Sequence, residues 1–218
     1  MFVVHLAVAL GAKKLEPNVP LSAGVAAAFG VDLLWPLFLL LGLETVRVAP
    51  GDTAFTQLAF ESYPWSHSLL LVLAWAALAA VAGKVLLGDL RSGTILGALV
   101  LSHWVLDALT HRPDLPLWPG GPVVGLGLWN SIPATIAVEG LLFLGAIAVY
   151  FSVSKARDRL GSGALWGLLL LTGILWATQP LMPPAPSASA VAWSALALWI
   201  LPPWAHWAEK HREVQASM

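Results

Sequence analysis

The sequence predicts an all-α polytopic membrane protein, a single bundle of about six transmembrane helices with a short N-terminal interfacial or re-entrant helix. Three observations lead there. Of the 218 residues, 58% are hydrophobic and only 11% charged, where a soluble domain carries about 25% charge. Apolar stretches of the length that crosses the roughly 30 Å hydrocarbon core as helix recur along the whole chain. Twelve Trp stand against two Tyr, a balance that suits indole anchors at the two membrane interfaces.

Residues 1–10 are apolar but too short to cross before Lys13 and Lys14, so this segment is expected to lie in the interface or dip into the bilayer. Its charges follow the apolar stretch instead of preceding it, unlike a signal peptide. Spans are expected at residues 21–43, 68–87, 93–109, 132–152, 163–181 and 188–200. A short charged turn, 84–92, joins the second and third. The last two are joined by Pro183-Pro184-Ala185-Pro186, where missing N–H groups and a fixed φ stop a helix. No linker or solenoid repeat divides the chain, so residues 1–218 read as one domain.

Loop charge orients the bundle. With the segment before the first span in the cytoplasm, that side collects Lys13, Lys14, Lys84, Arg91, Lys155, Arg157, Arg159, Lys210 and Arg212, against Arg47 and Arg112 outside. By the positive-inside rule the C-terminus is cytoplasmic, in a bacterial inner membrane, and the large loops near 44–67 and 110–131 face outward. The totals, 11 Lys and Arg against 12 Asp and Glu, leave no basic excess and speak against nucleic-acid binding. Cysteine is absent. Disulfides, thiolate nucleophiles and Cys ligands are excluded, and any metal falls to His, Asp and Glu.

An ionisable group inside a span costs several kcal/mol and marks function by default. At 1.5 Å per helical residue, Asp32 lies about 15 Å from the inner end of the first span and His103 about 15 Å up the third. His5 reaches a similar layer if its helix dips inward. Asp107 stands one turn above His103 on the same face, Glu139 descends in the fourth span, and His67 opens the second. Imidazole and carboxylate at i, i+4 give one helix two ligands for one ion, a donor set suited to zinc or manganese. Plainer roles exist residue by residue: Asp32 as a cap or structural pair, His5 as an interfacial histidine, and His103 with Asp107 as helix glue.

The outer loops add Thr110-His111-Arg112-Pro113-Asp114 and Gly125-Leu126-Gly127-Leu128-Trp129-Asn130-Ser131. Beside a metal, His111 and Arg112 suit an anionic group such as phosphate; the bland alternative is a solvated loop. The glycines match no phosphate-binding pattern. Trp65, Trp118 and Trp129 read as interfacial anchors, and His206 and His211 have no place in the site.

Taken in order, His5, Asp32, Ser66-His67-Ser68-Leu69 and Ser102-His103-Trp104-Val105-Leu106-Asp107-Ala108-Leu109-Thr110 resemble the YdjM-like family of inner-membrane metal-dependent hydrolases. That family carries an early His, a Pro-Asp-x-Asp segment, an Arg-Gly-x-Thr-His-Ser segment and a His-x-x-x-Asp-x-x-Thr segment. The resemblance covers about the first 120 residues and is most specific in its last element. It departs at Val31-Asp32-Leu33, with one acid where the family has two, and at Tyr63-Pro64-Trp65-Ser66-His67-Ser68, which lacks the family's first His and Arg. It implies an α-helical membrane hydrolase with divalent metal on His5, Asp32, His67, His103 and Asp107.

The expected function is therefore a membrane-embedded metal-dependent hydrolase acting on a membrane lipid or lipid-linked ester at a site open to the outer leaflet. Glu139 or His111 would act as general base or acid, and Asn130 and Arg112 would orient the substrate head group. Two other classes stay open: a small transporter or channel that moves protons or cations past Asp32, His103, Asp107 and Glu139, and a structural subunit whose buried polar groups join helices.

Overall fold

The computed structural model describes residues 2–214; the C-terminal end, expected in the cytoplasm, lies outside the described residues. Helix α1, Phe2–Leu15, is apolar on every side until Lys13 and Lys14 in its last turn. A helix hydrophobic all round belongs in a protein interior, and α1 is there. It packs against four later helices, with Val3, His5, Leu6 and Leu10 fully buried. Neighbouring helices surround it over most of its length, as the inward-dipping form of the N-terminal segment requires. Lys13 turns back to bond the carbonyls of Pro17 and Val19 at 2.8 and 2.7 Å and pairs with Glu209 at 2.7 Å, tying the first helix to the last.

The expected first span is broken in two. Helices α2, Leu21–Ala28, and α3, Gly30–Leu40, meet at a 52° bend around Phe29. A hairpin of two strands follows, β1, Thr45–Val48, antiparallel to β2, Leu58–Ser62, and then the single turn α4, Pro64–His67. Helices α5, Leu69–Leu87, and α6, Leu90–Thr110, form a tight antiparallel pair. Asp89 caps α6 by accepting from Arg91 N and Ser92 N. Small residues let the two backbones approach: a Cβ on Gly97 would come within 2.9 Å of the Ala76 carbonyl oxygen.

The loop after α6 holds the short pair β3, Leu115–Pro116, and β4, Val123–Val124, then a 3₁₀ turn, Leu128–Asn130. Helix α7, Ile132–Val153, starts on the Ser131 cap. Helix α8, Arg159–Thr178, starts on Asp158, which accepts from Gly161 N at 2.8 Å. The last span runs as α9, Ala188–Ala195, a 3₁₀ turn, Leu196–Ile200, and α10, Leu201–Lys210. It continues ten residues past the expected end at Ile200, because Pro202 and Pro203 occupy the first turn of α10, where a missing N–H is tolerated. Strands β5, Ser154–Ala156, and β6, Arg212–Val214, close the lower end.

Five helices are long and apolar enough to cross a membrane, six if α2 and α3 form one bent span. The fold is the expected helical bundle.

Candidate metal centre

Four segments bring their polar side chains to one point. Along α6, His103 and Asp107 stand a turn apart, with Nε2 of His103 3.2 Å from Oδ2 of Asp107. Asp32 enters from α3, just past the bend, with Oδ1 3.6 Å from His103 Nε2. His67, the last residue of α4, places Nε2 3.4 Å from Asp32 Oδ1 and 3.8 Å from Asp107 Oδ2. From α1, His5 lies with Nε2 3.2 Å from the other Asp107 oxygen, its ring stacked on that of His103 at 3.6 Å. All five residues expected as metal ligands meet.

Two overlapping groups, His5 with His103 and Asp107, and Asp32 with His67 and His103, have the mutual spacing to hold a metal ion. A tetrahedral ion with bonds of about 2.0–2.1 Å sets its N and O donors about 3.3–3.4 Å apart. The separations from 3.2 to 3.8 Å among Asp32, His67, His103 and Asp107 match that shell. Nε2 of His103 and Nε2 of His5 are buried and face only the carboxylate oxygens of the centre, and His5 Nδ1 is buried without a hydrogen-bond partner among the described residues. Buried polar atoms are almost always satisfied, and imidazole nitrogens that converge with carboxylate oxygens at this spacing fit a cation.

The ligands are held from behind. The carbonyl of Ala28, at the α2–α3 bend, lies 2.8 Å from His103 Nδ1. Nδ1 therefore carries the proton and Nε2 presents a lone pair to the site. For His67 the partner of Nδ1 is Ser66 Oγ at 2.6 Å, and that hydroxyl lies 2.7 Å from Glu44 Oε2. Burial pushes the Glu44 carboxyl above its ordinary value, opposed by its hydrogen bonds from Ser66.

Above the centre is a cavity of about 330 Å³. Asp32, His67, Asp107 and His111 form its polar face, Trp35, Phe60 and Trp129 its aromatic walls, and Leu175, Met182 and Leu198 an apolar side. His111, a turn above Asp107, has Nε2 3.9 Å from Asp107 Oδ2 and its ring between those of Phe60 and Trp129. Its Nδ1 bonds Asp114 Oδ1 at 3.0 Å, and Tyr63 donates to the same oxygen at 3.0 Å. Burial, with Asp114 adding to it, pushes the Tyr63 phenol far above its ordinary value, so Tyr63 keeps its proton and remains a donor. Gly127, at φ +72°, gives its N–H to the His111 carbonyl at 2.7 Å and bends the loop that carries Trp129.

Other expected site residues lie elsewhere. Glu139 is fully buried in α7, behind Trp129, whose Nε1 donates to it at 3.2 Å. Arg112 is turned away from the cavity, its Nε 3.0 Å from Asp52 and 3.2 Å from Asp114. Asn130 is exposed on the 3₁₀ turn. Trp129 is a buried cavity wall instead of an interfacial anchor, since its indole N–H has Glu139 to bond; Trp65 and Trp118 are exposed. Glu44, Tyr63 and Asp114 join the site without having been expected there. Asp114 could have been found from its place three residues past His111; nothing in the sequence marks Glu44, which reaches Ser66 across the β1–β2 hairpin. Compared with known proteins, the chain matches no family model, no curated protein and no solved structure.

Proposed function

We propose that the protein is a membrane-embedded metal-dependent hydrolase acting on a lipid or lipid-linked ester that enters from the outer leaflet. The observation that carries the reading is the convergence of Asp32, His67, His103 and Asp107 at 3.2 to 3.8 Å, three of which, Asp32, His67 and Asp107, line a cavity with an apolar side. The resemblance of the first half of the chain to the YdjM-like family supports it.

A divalent cation held by these side chains, zinc or manganese by their chemistry, supplies Lewis acidity that makes water a nucleophile near neutral pH and draws charge from a phosphoryl or acyl oxygen. His111 is the general base: Asp114 holds its Nδ1–H, so Nε2 faces the cavity as the acceptor of a proton from water. After the ester bond breaks, the same nitrogen returns that proton to the leaving alcohol. The role falls to His111 instead of Glu139, because Glu139 is outside the cavity lining and bonded to Trp129. Trp35, Phe60 and Trp129 exclude bulk water, and Leu175, Met182 and Leu198 give the substrate's hydrocarbon an apolar wall. Arg112, engaged with Asp52 and Asp114, steadies the base and does not grip the head group.

Metal content tests the reading. Purified wild-type protein is expected to hold divalent metal well above a His103→Ala, Asp107→Ala double variant; equal, background levels in both would end the hydrolase proposal.

One observation favours a transporter instead: the broken α2–α3 span with a backbone carbonyl at the bend, a feature of transporter binding sites. Below the polar layer, however, Leu6, Leu10, Val25 and Leu99 close the bundle with apolar packing. Ion flux in liposomes that Asp107→Asn abolishes, with no ester hydrolysis, would favour transport.

A further inference from the structure

We infer that Glu44 and Ser66 are positioning residues for the metal centre: through one hydrogen-bonded chain they fix the ring of His67 and set how tightly a divalent cation is held. The inference rests on the metal reading and adds two residues to it that do not touch the ion.

His67 ends α4, a single turn of four residues. The next residue, Ser68, already belongs to the following helix as its cap, its Oγ accepting from Leu71 N. A one-turn helix between a strand and a helix start has little packing of its own to hold a long side chain in one rotamer, so the orientation of His67 has to come from its ring partners. One partner is specific. Nδ1 lies 2.6 Å from Ser66 Oγ, and the same oxygen lies 2.7 Å from Oε2 and 3.0 Å from Oε1 of Glu44.

Proton directions follow from donor chemistry. The Ser66 hydroxyl donates to the Glu44 carboxyl oxygens. Its oxygen is then left to accept the Nδ1–H of His67, and Nε2 is left with a lone pair that faces Asp32 at 3.4 Å. Glu44 also takes the Ser66 backbone N–H at 2.7 Å, which pins the residue it works through at two points. The chain is dry: Glu44, Ser66 and His67 are 2%, 0% and 4% exposed. Among the described residues no Lys, Arg or His forms an ion pair with Glu44. A carboxylate buried without a countercharge is destabilising, and here both of its oxygens are committed to one serine.

The other two candidate imidazole ligands are held differently. His103 leans on a backbone carbonyl, which no side-chain change can tune, and behind the His5 ring Nδ1 has no hydrogen-bond partner among the described residues. Carboxylate partners behind a ligating histidine fix its tautomer and raise its basicity, and their loss typically lowers metal affinity about 10- to 100-fold. Glu44 delivers that effect through a hydroxyl.

The test uses the full chain in detergent, with zinc affinity measured by chelator competition and the visible spectrum of bound cobalt read in parallel. Glu44→Gln and Ser66→Ala are each expected to weaken zinc binding about 10- to 100-fold and to change the cobalt bands. The double variant should lose no more than the worse single one, and Glu44→Gln should change nothing in a His67→Ala background, because both residues act through one ring. Wild-type affinity in both single variants overturns the proposal, as does an equal loss in the His67→Ala background, which would mark a general effect on folding. A wild-type protein that binds no zinc overturns the metal centre itself, a result distinct from any of these.

Discussion

His103 Nδ1 lies 2.8 Å from the carbonyl oxygen of Ala28, and this bond decides which ring nitrogen faces the centre. The carbonyl is at the bend between α2 and α3. The same break that divides the first span therefore orients His103 on α6 and brings Asp32 beside it.

Asp107 offers the sharpest separation of metal binding from folding. Its Oδ1 faces His5 and its Oδ2 faces His103 and His67. Asp107→Asn keeps the shape and is expected to drop bound metal to background while the protein still inserts and purifies as a folded species. Asp107→Leu should lose the metal too, yet melt in detergent no lower than metal-free wild type, since an apolar side chain replaces a polar one that burial destabilises. Retained metal with a lowered melting temperature in both variants would make Asp107 a structural residue.

His111 should separate chemistry from binding. Because His111 belongs to neither metal-capable group, its Nε2 being 3.9 Å from Asp107 Oδ2, His111→Gln is expected to leave metal content unchanged. Turnover of a chromogenic phosphate or carboxylic ester in micelles should fall by about 10²- to 10⁴-fold, the usual contribution of a general base. Asp114→Asn should produce a smaller loss in the same direction, because it frees the ring without removing it. A rate unchanged by His111→Gln would eliminate it as the base.

Asp158 yields a pH prediction outside the spans. Hydrogen bonds from Gly161 N–H first, then from His211, hold its carboxyl below the ordinary value. A depressed folded-state pKa contributes stability that is present above the unfolded value, near 4, and is lost as pH falls through the folded one. Wild type should therefore lose melting temperature as pH drops below about 4, and Asp158→Asn should remove part of that acid dependence while melting lower at neutral pH. An identical acid profile in the variant would show that the α8 cap and the β5–β6 end are not coupled to this charge.

Orientation is open to direct measurement. A reporter at Gly120, in the loop that carries β3 and β4, is expected outside the cell, and one at the C-terminal end inside. A cytoplasmic Gly120 reporter would turn the cavity to the inner leaflet and rule out an outer-leaflet substrate.

The bundle is written in the order of the amino acids, because a run of about twenty apolar residues has one low-energy form in a bilayer, a helix that satisfies its own backbone. The pairing of His103 with Asp107 is written there too, since i, i+4 spacing on one helix places them together whatever surrounds them. His5, Asp32 and His67 are legible as candidates for a related reason: a polar group in an apolar stretch is destabilising unless it has a partner or a function. Everything else depends on contacts between residues far apart in the chain. The apolar pattern of α1 reads the same in an interface as in a core, and only its packing against α2, α6, α7 and α8 places it inside. The break at Phe29 has no proline at its apex, while Pro36 is carried within α3, so composition points away from the true bend. Glu44 meets Ser66 across 22 residues of chain, and Arg112 meets Asp52 between two separate loops. Such pairs have no period for a sequence to display, and they decide which side chains brace the His/Asp centre and which merely hold the loops.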